Sequence, residues 1–145
     1  MKRQALAVAV AFLLSIVAAG ECYAHQQSVL VVNIPFAFQA GNKTLPAGEY
    51  SIESVSTGDG TLRMIRQIDG DALMIVATIA VYSKDGKSEP KLIFNRYGKR
   101  YFLSQIWAGE PRGQQLFKSE GEKELARTEA KVAVALLVHS PSVKP

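Results

Sequence analysis

The sequence predicts an all-β fold: a single small antiparallel up-and-down barrel or barrel-like sandwich of about seven strands, with one short helix before the last strand. Three observations carry this. Apolar residues recur at every second position in several short runs, the period of a strand with one buried face. Asp-Gly pairs stand between those runs at 59–60, 69–70 and 85–86, and both residue types accept the positive φ of a tight hairpin. Only one segment, Ser119-Glu120-Gly121-Glu122, opens like a helix.

The first strand is read from Leu30, Val32, Ile34, Phe36 and Phe38, a continuous apolar face at spacing two. Pro35 cannot donate a ladder hydrogen bond, so the strand should run at an edge or carry a bulge there. Gly41-Asn42-Lys43 supplies a turn, and Leu45-Pro46-Ala47-Gly48 a tight corner before period two resumes at Tyr50 and Ile52. A strand from Tyr50 to Val55 and one from Thr61 to Ile68 follow, with a stumble at Ile65-Arg66 that reads as a bulge.

Ala72 to Tyr82 is the most apolar run after the N-terminal segment. Leu73, Ile75, Ala77, Ile79 and Val81 alternate with Met74, Val76, Thr78 and Ala80, so both faces are apolar. Such a strand should be central or covered on both sides. A buried helix is the competing reading, and β-branched content with flanking Asp-Gly pairs favours strand. Leu92–Tyr97 and Arg100–Trp107 form a hairpin around Gly98-Lys99, and 109–113 is a loop. In the capping box, Ser119 accepts from the third helical amide and Glu122 reaches back, over a helix ending near Thr128. Val132, Val134, Leu136 and Val138 make the last strand. The turns imply a meander, with the first and last strands closing it.

The N-terminus reads as an export signal over residues 1–24. Lys2 and Arg3 precede an apolar run from Ala5 to Gly20, shorter than the ~20 residues of a membrane span, and Ala24 suits cleavage. Lipidation at Cys22 is disfavoured by Glu21 before it, and a retained anchor is the other alternative. Residues 25–139 then form one β domain and 140–145 a flexible tail. The exported chain, periplasmic or secreted, has about 120 residues, enough for one real core. Cleavage removes Cys22, the only cysteine, so no disulfide or thiol chemistry remains. Net charge is +4; losing Lys2, Arg3 and Glu21 leaves about +3, too mild to argue for nucleic acid. Membrane contact is expected only through an uncleaved signal segment.

The segments VNIPFAFQAGNKTLPAGEY and NRYGKRYFLSQIW resemble a family of small exported bacterial proteins of unassigned function. Lys118-Ser119-Glu120 and Glu122-Lys123-Glu124-Leu125-Ala126 resemble that family's pre-terminal helix. The resemblance covers most of the exported chain and implies a β-rich, single-domain protein. It carries over no catalytic residue.

Four candidate chemistries remain. His25 would be the mature N-terminus, where amine and imidazole together can chelate copper, with His139 the other imidazole; an incidental His in a frayed terminus is the plainer account. Arg96, Tyr97, Arg100, Tyr101 and Trp107 interleave aromatics with cations, as a glycan-stacking or partner-binding surface does; rings packed across a hairpin explain them too. Asp69-Gly70-Asp71 is a turn before it is a calcium loop. Glu120, Glu122 and Glu124 read as a solvated helix turn, and no nucleophile elbow or catalytic triad is present.

The expected function is that of a non-enzymatic exported protein binding a partner protein, glycan or envelope surface. The alternatives are a small barrel carrying an apolar ligand and a copper protein using His25. No other cofactor is implied.

Overall fold

The computed structural model describes residues 29–55 and 62–138. The signal segment, His25, the Asp59-Gly60 turn, His139 and the tail lie outside the described residues. The chain is mostly β with one helix. Ten strands appear: β1 (Leu30–Ile34), β2 (Phe38–Ala40), β3 (Lys43–Leu45), β4 (Gly48–Ser54), β5 (Leu62–Gln67), β6 (Leu73–Tyr82), β7 (Lys91–Tyr97), β8 (Arg100–Trp107), β9 (Arg112–Leu116) and β10 (Lys131–Leu137). The helix α1 (Glu120–Thr128) precedes β10.

Three strands exceed the expected number. Pro35 interrupts the first run, so it becomes β1 and β2, and β3 folds back on β2. The expected 109–113 loop contains the start of β9, which pairs with β6 and with the end of β8. Alternation missed it because Gly113 and two glutamines carry no apolar period.

The strands form one open mixed sheet in the order β1-β4-β5-β6-β9-β8, with β7 and then β10 following β8. β2, with β3 behind it, joins β8 through a single parallel pairing of Gln39 with Phe102. This differs from an up-and-down meander. Asp69-Gly70 does join paired neighbours, β5 and β6, but Asp85-Gly86 leads from β6 to β7, which are not neighbours. β9 sits between β6 and β8, giving a Greek-key connection. Nor do the outer strands close on each other among the described residues: β1 pairs with β4, and β10 with β7. The stumble at Ile65-Arg66 is no bulge, since β5 pairs in regular register on both sides. The register shift is in the β7–β8 hairpin, at Ile93/Phe94. Gly98 takes φ 60° in that hairpin's turn, a backbone region that favours glycine.

The core is one cluster. Leu30, Val32, Ile34 and Phe38 of the first run all bury, with Phe36 half-buried. They meet Tyr50, Ile52 and Ile65 from one end of the sheet and Leu92, Phe94, Leu103, Ile106 and Leu116 from the other. Phe94 receives Phe36 and Phe38 edge-on, at centroid distances of 5.0 and 5.6 Å. Tyr50 Oη donates to the Pro46 carbonyl at 2.5 Å, tying the Pro-Ala-Gly corner to the core. Burial holds its phenol above its ordinary pKa.

Candidate binding surface

The aromatic-basic hairpin is distributed, not gathered. In the β7–β8 register Tyr97 opposes Arg100 at one end, while Trp107 opposes Lys91 at the other. Arg96 pairs with Tyr101, and both are half-buried. Tyr101 stacks on Phe36 with centroids 3.9 Å apart and planes 16° from parallel. Arg100 sits over Phe102 at 5.4 Å, and Lys91 over Trp107 at 5.9 Å. Trp107 is buried, donates Nε1–H to Gln105 Oε1 at 3.0 Å, and lies on Gly113, where a Cβ would come within 2.6 Å of its ring. These rings therefore have partners within the protein. What remains open is a cleft of about 290 Å³ beside Arg100 and Tyr101, with Lys99, Gln39 and Thr44 on its walls.

Tyr97 belongs to a different construction. Ser119 caps α1, accepting from the Glu122 amide at 3.2 Å, as the capping box requires. The reciprocal half is replaced. The Glu122 side chain is 4% exposed, and its Oε1 accepts from Asn95 Nδ2 at 2.9 Å and Tyr97 Oη at 3.1 Å. Glu122 is thus no part of a solvated turn; it pins α1 onto β7. Burial first, then the nearby Glu122 charge and its hydrogen bond, push the Tyr97 phenol up to about 12. Sequence spacing could not separate Glu122 from Glu120 and Glu124. Only Asn95 and Tyr97, on one face of β7, identify its destination.

A second buried polar pair lies between β6 and β9, where Thr78 Oγ1 donates to Gln114 Oε1 at 2.7 Å. Arg63, on β5, has its pKa lowered by burial and then by Arg112, against the opposing pull of Glu110. Among the described residues no three His, Cys, Asp or Glu side chains gather to hold a metal, and no helix is long and apolar enough to cross a membrane.

The feature that sequence reasoning did not place is the outer face of β4, β5 and β6. On β6, Val76 and Thr78 bury inward, so Leu73, Ile75, Ala77 and Ile79 point outward. The strand is central, between β5 and β9, yet its outer side is bare among the described residues: Leu73 is 42% exposed, Ile75 52% and Ile79 46%. The pairs Met64–Ile75 and Leu62–Ala77 widen this stripe across β5. Val29, Val55 and Phe117 are exposed at its margins. Glu53 and Arg66 are its flanking charges on β4 and β5. β6 is central in the sheet order, as expected, while the apolar side chains of its outer side stay exposed among the described residues. Helix α1 covers β7, three strands from β6 in the sheet order, and not this face.

No protein-family model, curated protein or solved structure matches this chain.

Proposed function

We propose that this protein is an exported, non-enzymatic binding protein that docks a partner on the exposed apolar stripe of β5 and β6. The carrying observation is that stripe. An antiparallel sheet with one dry side ordinarily shows polar residues on the other. Here the second side presents Leu62, Met64, Leu73, Ile75 and Ile79 together. Contiguous exposed apolar surface of this kind marks interaction sites, unlike apolar residues scattered singly.

In this reading the sheet is barrel-like, its β1–β4–β5–β6 part laid over its β9–β8–β7–β10 part. The single core cluster drawn from both parts supports that arrangement. The inward Phe38, Tyr50 and Phe94 occupy its middle, which favours an outer surface over an interior cargo site as the place of binding.

Native mass spectrometry of the exported protein, set against its denatured mass, tests the proposal. The denatured mass fixes the N-terminus and with it the place of His25. A native complex lost in Ile75→Asp supports the docking face. A small organic adduct would replace this reading with the ligand-carrying one, and an added copper ion with the metal one.

A further inference from the structure

We infer that the cleft between β2, β3 and the start of β8 is a binding site for a sugar carrying one anionic group, a carboxylate or a phosphate. The cleft shares no residue with the apolar stripe of β5 and β6, so its test is independent of the docking reading.

The first argument is placement. The parallel pairing sets Gln39 level with Phe102, and Thr44 opposes Gln39 on β3. Residues paired across strands point to one side of a sheet, as do residues two apart on the same strand. Gln39, Thr44 and Phe102 therefore share a side with Arg100. The Arg100 guanidinium agrees, lying over the Phe102 ring at 5.4 Å. Tyr101 points to the other side, where it stacks on Phe36 at 3.9 Å, and this anchors the strand that presents Arg100. The short side chain of Ala37 leaves room for the cleft, about 290 Å³.

The second argument is charge. Among the described residues, Lys99 and Arg100 are the charged groups on the walls, and no acid lines them. Neither cation forms an ion pair there among the described residues. Glu129, whose carboxylate lies against Gly98 in the same turn, is not one of the walls. A cleft lined by one sign of charge concentrates the opposite sign. The planar guanidinium fork takes a carboxylate or a phosphate through two parallel hydrogen bonds, and the Phe102 ring beneath it helps to hold the fork in place.

The third argument is hydroxyl recognition. Gln39 Nε2 donates to Thr44 Oγ1 at 3.2 Å. That leaves the Thr44 hydroxyl proton to donate and Gln39 Oε1 to accept. A sugar hydroxyl both donates and accepts, so it matches this pair, whereas a bare ion would use the cations alone. The volume equals that of about ten waters, room for one sugar ring and not for a chain of them.

An amide chemical-shift titration of the exported protein tests the site, with glucuronate and glucose phosphate as the anionic sugars and glucose and inorganic phosphate as controls. For a ligand of about a dozen heavy atoms, the expected dissociation constant is on the order of 1 mM, with saturable shifts at Gln39, Thr44 and 99–101. Glucose, lacking the charge, and phosphate, lacking the ring, should each bind at least about 10-fold more weakly. Arg100→Ala should weaken the anionic sugar by at least about 10-fold, and Thr44→Val by about 3- to 10-fold. Thr44 is exposed, so its variant decides the matter should Arg100→Ala disturb the fold. Lys87→Ala, a cation in the β6–β7 connection, should change nothing. The inference is overturned if neither anionic sugar gives saturable shifts up to about 50 mM, well above the expected constant. Shifts confined to other residues overturn it too, as does glucose or inorganic phosphate binding as tightly as the anionic sugar, or binding unchanged in folded Arg100→Ala and Thr44→Val.

Discussion

Glu122→Ala removes a side chain that joins α1 to the sheet by two buried hydrogen bonds. Asn95 Nδ2 and Tyr97 Oη, now 2.9 and 3.1 Å from Glu122 Oε1, would be left as buried donors. Each such group costs about 1–3 kcal/mol when its partner is deleted from one side only. Against this, alanine gains ~0.4 kcal/mol of helix propensity, and a buried carboxylate no longer has to be desolvated. The net expectation is a loss of about 2–4 kcal/mol. The helix cap itself survives, because Ser119 accepts from the backbone of residue 122, not from its side chain. Urea unfolding followed by circular dichroism measures the difference at unchanged slope. A melting experiment should show a fall of about 8–20 °C for a domain of this size. Glu124→Ala, two residues on and exposed, is the control and should change stability by less than ~0.5 kcal/mol. If the two variants were alike, Glu122 would be the solvated glutamate that its sequence neighbourhood suggests, and the latch would not exist.

Tyr97 has a folded pKa of about 12 against 10.0 for the free group, so the unfolded chain loses this proton first as pH rises. The associated stability, of the order of 2–3 kcal/mol, is present below pH 10 and lost as pH rises towards 12; Tyr97→Phe should remove that alkaline segment of the stability profile, and an unchanged profile would contradict it. Gly113→Ala places a Cβ within 2.6 Å of Trp107 Cδ2, so the ring must shift at about 1–3 kcal/mol. Because the chain has one tryptophan, its emission maximum reads that displacement directly. Ser119→Ala should cost about 1 kcal/mol in a thermal melt by orphaning the Glu122 amide at the start of α1.

The elements legible in advance were those with a local cause. Leu30, Val32, Ile34 and Phe38 announced a buried strand face by period alone; Pro35 marked an edge or a bulge, and the structure instead ends the strand there. Gly98-Lys99 and Asp69-Gly70 announced turns because their backbone demands are local. The helix start at Ser119 was equally plain, since capping is settled within four residues. Strand β9 was missed because Gly113-Gln114-Gln115 has no apolar period; its burial comes from β6 and from Trp107, neither of which is nearby in sequence. The Greek-key order was missed for a related reason. Asp85-Gly86 is a good turn, but a turn fixes only that the chain reverses, not which strand it pairs with afterwards. Of the site residues, Arg100 and Tyr101 do share a cleft, whereas Tyr97 and Trp107 were assigned to opposite ends by register.

The sequence by itself determined that this chain is built of short strands, where most of them turn, and which side of each is apolar, because periodicity and turn chemistry act over a few residues. The tertiary structure alone decided that β9, not β7, lies beside β6, that Glu122 is buried while Glu124 is not, and that the outer face of β6 is left exposed among the described residues. Those outcomes depend on which distant segments meet, and hydrophobic burial, being non-directional, names a face that must be covered without naming what covers it.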